Sequence, residues 1–96
     1  MTDFATAADR LLTQVRHWEI PRWQDGRGDR VHALAQHLAN LTADAEGRPH
    51  RTLPRELDVV LPDQLRVLAD DLLAAGPSER QLAEAVEAVN QVRGTL

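Results

Sequence analysis

Leucine, alanine and valine recur along this chain at alternating steps of three and four, the spacing that keeps side chains on one face of a helix. Between residues 3 and 18 the apolar positions are Phe4, Ala8, Leu11, Val15 and Trp18, with Leu12 at the edge of the stripe. Asp9, Arg10, Thr13, Arg16 and His17 fall outside it. Pro21 biases Ile20 away from helical backbone, so a first helix is expected to stop near Trp18 or Glu19. The pattern resumes over 29–45 with Val31, Leu34, Leu38, Leu41 and Ala45. Gly47, with Pro49 just beyond it, supplies the stop.

A third helix is predicted to begin at Pro62, whose missing N–H has no helical partner to lose, with Asp63 beside the positive end of the helix dipole. Its stripe is Leu65, Leu68, Ala69, Leu72 and Ala75, ended by Gly76-Pro77. The fourth helix opens on Ser78-Glu79-Arg80-Gln81, the spacing of a capping box. Leu82, Ala85, Val89, Val92 and Leu96 then face inward, with Val86 beside them. No segment alternates with the two-residue period of a strand. The expected fold is all-α: a single domain over residues 1–96, built as a compact four-helix bundle.

The connections differ in kind. The tight turn after the third helix is expected to pack helices three and four as an antiparallel pair. The link between helices two and three, residues 47–61, is long and carries Pro49 and Pro54, with room for a helical turn around 54–60. Long connections in compact domains are candidates for function.

Composition narrows the chemistry. Ninety-six residues bury one core and leave little space for a deep pocket beside it. Cysteine is absent, so neither a disulfide frame nor a thiolate metal site can form. The first ten residues lack the basic stretch and apolar run of a secretory signal, and no apolar run approaches a membrane span. A cytoplasmic protein is expected. All eleven cationic side chains are arginine, beside fourteen alanines and fourteen leucines. That bias fits a GC-rich bacterial genome, and it makes arginine abundance weak support for phosphate binding. Charge is uneven along the chain: residues 1–55 hold eight Arg against seven Asp and Glu, and 56–96 hold three against eight.

Candidate sites gather in two stretches. The first, "HWEIPRWQDGRGDRVH" over residues 17–32, holds both tryptophans. Trp18 continues the first stripe and reads as core. Trp23 has two readings: it closes the end of the bundle with Ile20, or it stands exposed between Arg22 and Arg27 as an aromatic anchor for a partner. The triplet Arg27-Gly28-Asp29 spells an adhesion motif, but a local role explains it better. Asp29 is expected to cap the second helix at the amide of His32, with Gly26 and Gly28 shaping the entry. The second stretch is the cationic connection, with Arg48, His50, Arg51 and Arg55.

Other chemistries fit poorly. His32 and His37 lie about 140° apart around a helix and cannot share one ion within it. The predicted inner faces carry no carboxylate, so no metal or other cofactor is expected. The sole serine, Ser78, is engaged as a cap, and there is no tyrosine, which leaves no evident nucleophile. Acid–base chemistry by His50, or by His17 beside Glu19, would need a pocket. A helix-turn-helix reading of helices three and four would present Glu79, Glu84 and Glu87 to phosphates that repel them.

The stretches "VRHWEIPRW", "LTADAEGRP" and "LPDQLRVLADDLLAAG" resemble the uncharacterised small helical proteins of actinobacteria. That resemblance spans most of the chain and implies no particular activity. The function expected is a non-enzymatic interaction module, an adaptor or accessory subunit for another cytoplasmic protein or for a second copy of itself. Its contacts are expected from Trp23, Arg22 and Arg27 together with Arg48, His50, Arg51 and Arg55. The alternatives are a nucleic-acid-associated regulator acting through residues 48–55, and a small enzyme using His50 or His17.

Overall fold

Where each helix starts and stops is set by a few polar and left-handed residues, visible in a computed structural model that describes residues 3–96. Helix α1 spans Phe4–Val15, α2 Arg27–Glu46, α3 Leu61–Ala74 and α4 Glu79–Thr95. Single turns of 3-10 helix occupy Ile20–Trp23 and Asp58–Val60. Among the described residues there is no strand, and the architecture is the all-α four-helix bundle that the periodicity predicts.

Asp3 caps α1, its Oδ1 accepting from the Thr6 amide at 2.8 Å. That bond stabilises the carboxylate and holds Asp3 below its usual pKa of 3.8. The helix ends at Val15, earlier than expected, and Trp18 leaves it in a turn whose amide reaches back to the Val15 carbonyl at 3.0 Å. Helix α2 starts two residues early, because Asp25 (φ 60°) and Gly26 (φ 81°) both adopt left-handed backbone and turn the chain into it. Asp29 therefore lies inside the first turn and is not the cap. Helix α3 begins at Leu61, with Pro62 one position further in than expected. The capping box of α4 is present in full: the Gln81 amide donates to Ser78 Oγ at 3.1 Å, and the Ser78 amide to Gln81 Oε1 at 2.8 Å.

The expected pairing of α3 with α4 is not what forms. Helix α2 packs against α3 and α4, and α1 packs against those same two, so the consecutive pairs α1/α2 and α3/α4 sit across the bundle from each other. Polar clips fix the directions. Arg93 meets Gln14 near the ends of α4 and α1, while Phe4 shares a groove with Leu82 near their starts, so these two run parallel. Arg30 donates to the Thr95 carbonyl at 2.6 Å and His37 faces Glu84 at 3.7 Å, so α2 and α4 run antiparallel. Asp58, just before α3, lies against Gly28 at the start of α2, and Leu68 and Asp71 border Ala39 and Ala43 further on. Helices α2 and α3 are therefore parallel neighbours.

That topology explains the long connection. A parallel neighbour can start only where α2 started, so the chain must travel back along α2. Twenty helical residues rise about 30 Å. Roughly ten extended residues span about 33 Å, which is the length of chain between Gly47 and the 3-10 turn at Asp58–Val60.

The core follows the predicted stripes closely. Leu11, Val15, Val31, Leu38, Leu61, Leu72 and Val89 are the largest fully enclosed side chains. Ala7, Ala35 and Leu61 join it beyond the predicted positions. Leu68, Leu82, Val86, Val92 and Leu96 are only partly covered and pack at its edge. Helix α4 is the least enclosed, with Ala85 and Val89 its buried residues.

Candidate functional site

The 3-10 turn after α1 places its two large apolar residues in opposite environments. Trp23 is 2% exposed and belongs to the core, whereas Ile20 is 68% exposed. This corrects two expectations. Trp23 is no exposed anchor, and Ile20 does not close the bundle end beside it. The early end of α1 is the reason: it frees Trp18, whose ring meets Trp23 edge-on with centroids 4.9 Å apart, so an indole fills the place assigned to Ile20. Such aromatic pairs add about 0.5–1.5 kcal/mol beyond the area they bury.

The arginines beside Trp23 serve this corner. Arg22 lies over the Trp18 ring, 5.2 Å from its centroid, in cation–π geometry. Arg27 donates to the Gln24 carbonyl at 3.3 Å and lies 3.8 Å from the Asp25 carboxylate, stitching the turn that leads into α2. Trp23 Nε1 and Arg27 Nε are buried without a hydrogen-bond partner among the described residues.

The cationic connection forms a strap along α2. At its start His50 Nε2 meets Asp44 Oδ1 at 2.7 Å, and Arg48 pairs with Glu46. In the middle, Gln36 Nε2 donates to the Arg51 carbonyl at 2.9 Å while Gln36 Oε1 accepts from the Leu53 amide at 2.7 Å. His32 Nε2 meets the Leu53 carbonyl at 3.2 Å. At the far end Arg55 donates to Asp58 at 2.6 Å and to Asp29 at 3.3 Å. These bonds, the one to Asp58 foremost, raise the Arg55 guanidinium still further above the usual arginine pKa. Gly28 permits this docking, because a Cβ there would run into the Asp58 carboxylate and stand 3.0 Å from Arg55 Nη2.

Much of the cationic set is therefore paired inside the molecule. Arg48, His50 and Arg55 each face a carboxylate; Arg51 is exposed, and its backbone carbonyl holds the strap to Gln36. His17 and His50 lie at opposite ends of the bundle, one after α1 and the other hung from the last turns of α2. Among the described residues no three His, Asp or Glu side chains are grouped so as to hold a metal, and no helix is long and apolar enough to cross a membrane.

The strap delivers a feature that the stripes do not reveal. The turn at Asp58–Val60 rests against the turn at Ile20–Trp23. Leu57 is 77% exposed, Val59 54% and Val60 36%, so with Ile20 four large apolar side chains are exposed on, or just before, two touching turns. Arg22, Glu19, Arg55 and Glu56 surround them in sequence. Large apolar side chains left exposed near one another among polar residues are candidates for interaction. The signal in the sequence was faint: Ile20, Leu57 and Val59 are large apolar residues lying outside every helical stripe. Compared with protein-family models, curated proteins and solved structures, the chain matches none.

Proposed function

We propose that the protein is a non-enzymatic helical interaction module of the cytoplasm, an adaptor or accessory subunit that binds another protein through the end formed by its two 3-10 turns. The observation that carries this reading is the outward placement of Ile20, Leu57 and Val59 on turns whose backbones are held from behind. Trp23 anchors one turn in the core, and the Arg55–Asp29–Asp58 cluster pins the other. A rigid apolar surface loses little conformational entropy on binding, which favours its use as an interface.

Trp23, Arg22, Arg27 and Arg55 enter this reading as supports of the surface. Binding of nucleic acid through Arg48, His50, Arg51 and Arg55 would have to compete with Glu46, Asp44, Asp29 and Asp58 for three of those four side chains. Acid–base catalysis by His17 beside Glu19, or by His50, would have to proceed from an exposed side chain.

The test is affinity capture from the native cell with the parent and with Ile20→Asp and Val59→Asp, read by mass spectrometry. Both positions are exposed, so the variants are expected to fold. A protein held by the parent and lost by both variants supports the reading. Equal capture by all three, or capture that nuclease abolishes, counts against it.

A further inference from the structure

We propose that a second surface, the groove between the start of α1 and the outward face of α4, receives a cationic amphipathic helix of a partner protein. The groove is open, has a volume of about 940 Å³, and lies at the end of the bundle away from the two 3-10 turns. Phe4 forms its floor, and Leu82, Ala83 and Val86 its apolar wall. These residues are apolar because α4 carries a wider apolar arc than the bundle covers. Ala85 and Val89 are buried, while Leu82 and Val86 are only partly buried and keep an edge open to the groove.

The rim decides the occupant. Asp3, Glu79 and Glu87 line the groove, and no described arginine or histidine does. A second copy docking by two-fold symmetry would bring six carboxylates into one interface without a cation to offset them. An anionic membrane surface would be repelled in the same way. A small molecule would find neither enclosure nor converging polar donors. A helix with leucine-like residues on one face and lysine or arginine flanking it satisfies both wall and rim, the helix-in-groove mode of recognition. From Glu79 to Gln91 the face runs about 18 Å along α4, enough for three turns of such a helix.

This inference does not depend on the end surface at Ile20, and its test keeps the two apart. Two labelled synthetic helices sharing one leucine face, one flanked by lysine and the other by glutamate, are titrated into the full chain by fluorescence anisotropy. The lysine helix is expected to bind about tenfold more tightly than the glutamate helix, with an affinity that falls as salt rises. In Glu79→Arg/Glu87→Arg the preference is expected to reverse. Val86→Asp is expected to weaken both helices, and Ile20→Asp neither. Circular dichroism checks folding; if Val86→Asp does not fold, the charge reversal at two exposed positions still decides the matter. No binding, equal binding of both helices, or a preference untouched by charge reversal would overturn the proposal. So would a dimer in sedimentation that Val86→Asp dissociates, since a second copy would then cover the groove.

Discussion

Trp23 shows how one buried side chain can hold a surface turn in place from inside the core. Truncation to Ala removes a buried ring and its edge-on contact with Trp18. Such truncations cost about 3–5 kcal/mol. The low end is expected here, because the substitution also removes an indole N–H buried without an acceptor. For a domain of this size a loss of about 3 kcal/mol lowers the melting midpoint by at least about 12 °C. Thermal unfolding of Trp23→Ala measures it, and a shift of a degree or two would mean that the corner is not packed as described. Asp3 offers a test by pH. Its folded pKa lies below 3.8, so the unfolded chain binds more protons and the cap stabilises the fold fully above that value. The contribution is lost as pH falls through the lowered folded value. The protection factor of the Thr6 amide, its exchange divided into the intrinsic rate at each pH, is expected to fall between pH 5 and pH 2, and Asp3→Asn to flatten that dependence.

At the level of elements, the strap is the structure's least obvious component and its most testable one. Gln36 uses both ends of its amide to hold Arg51 and Leu53 against α2. Gln36→Ala strands a partly buried amide and carbonyl, a loss expected to cost about 1–3 kcal/mol. A urea midpoint reports the global effect, and faster exchange of the Leu53 amide reports the local one. Arg48→Ala is the contrast. It breaks an exposed pair two residues apart in sequence and is expected to change stability by no more than about 0.5 kcal/mol. This difference also marks what could be read in advance. The four helices, the capping box and the core stripes were legible, because each depends on spacing within one segment. The strap was not, because Gln36 reads as an ordinary polar helix position until residue 53 is brought beside it. The cap of α2 was misassigned to Asp29 for a related reason: Asp29 has a tertiary partner in Arg55, 26 residues away.

For the whole molecule the governing fact is chain order. Because α2 and α3 are parallel neighbours, the connection must run the length of α2, and its far end brings the turn at Asp58–Val60 against the turn at Ile20–Trp23. The short turn after α3 spoke for an antiparallel pair, but which helices touch is decided by the packing of all four apolar faces at once, and α1 and α2 take the places between α3 and α4. The candidate surface was hidden for the same reason. Its residues belong to two connections, and only the return path of the strap brings those connections into contact. Trp23, expected as a possible contact, instead lies behind that surface. Hydrogen exchange on the protein bound to a captured partner, compared with the free protein, reports whether the two 3-10 turns form the proposed interface. The Arg22 amide, bonded to the Glu19 carbonyl at 2.9 Å, and the Val60 amide, bonded to Leu57 at 3.0 Å, report on the two turns. Slower exchange at both in the complex is the result expected, and unchanged exchange at both, with protection centred on residues 48–55, would contradict it.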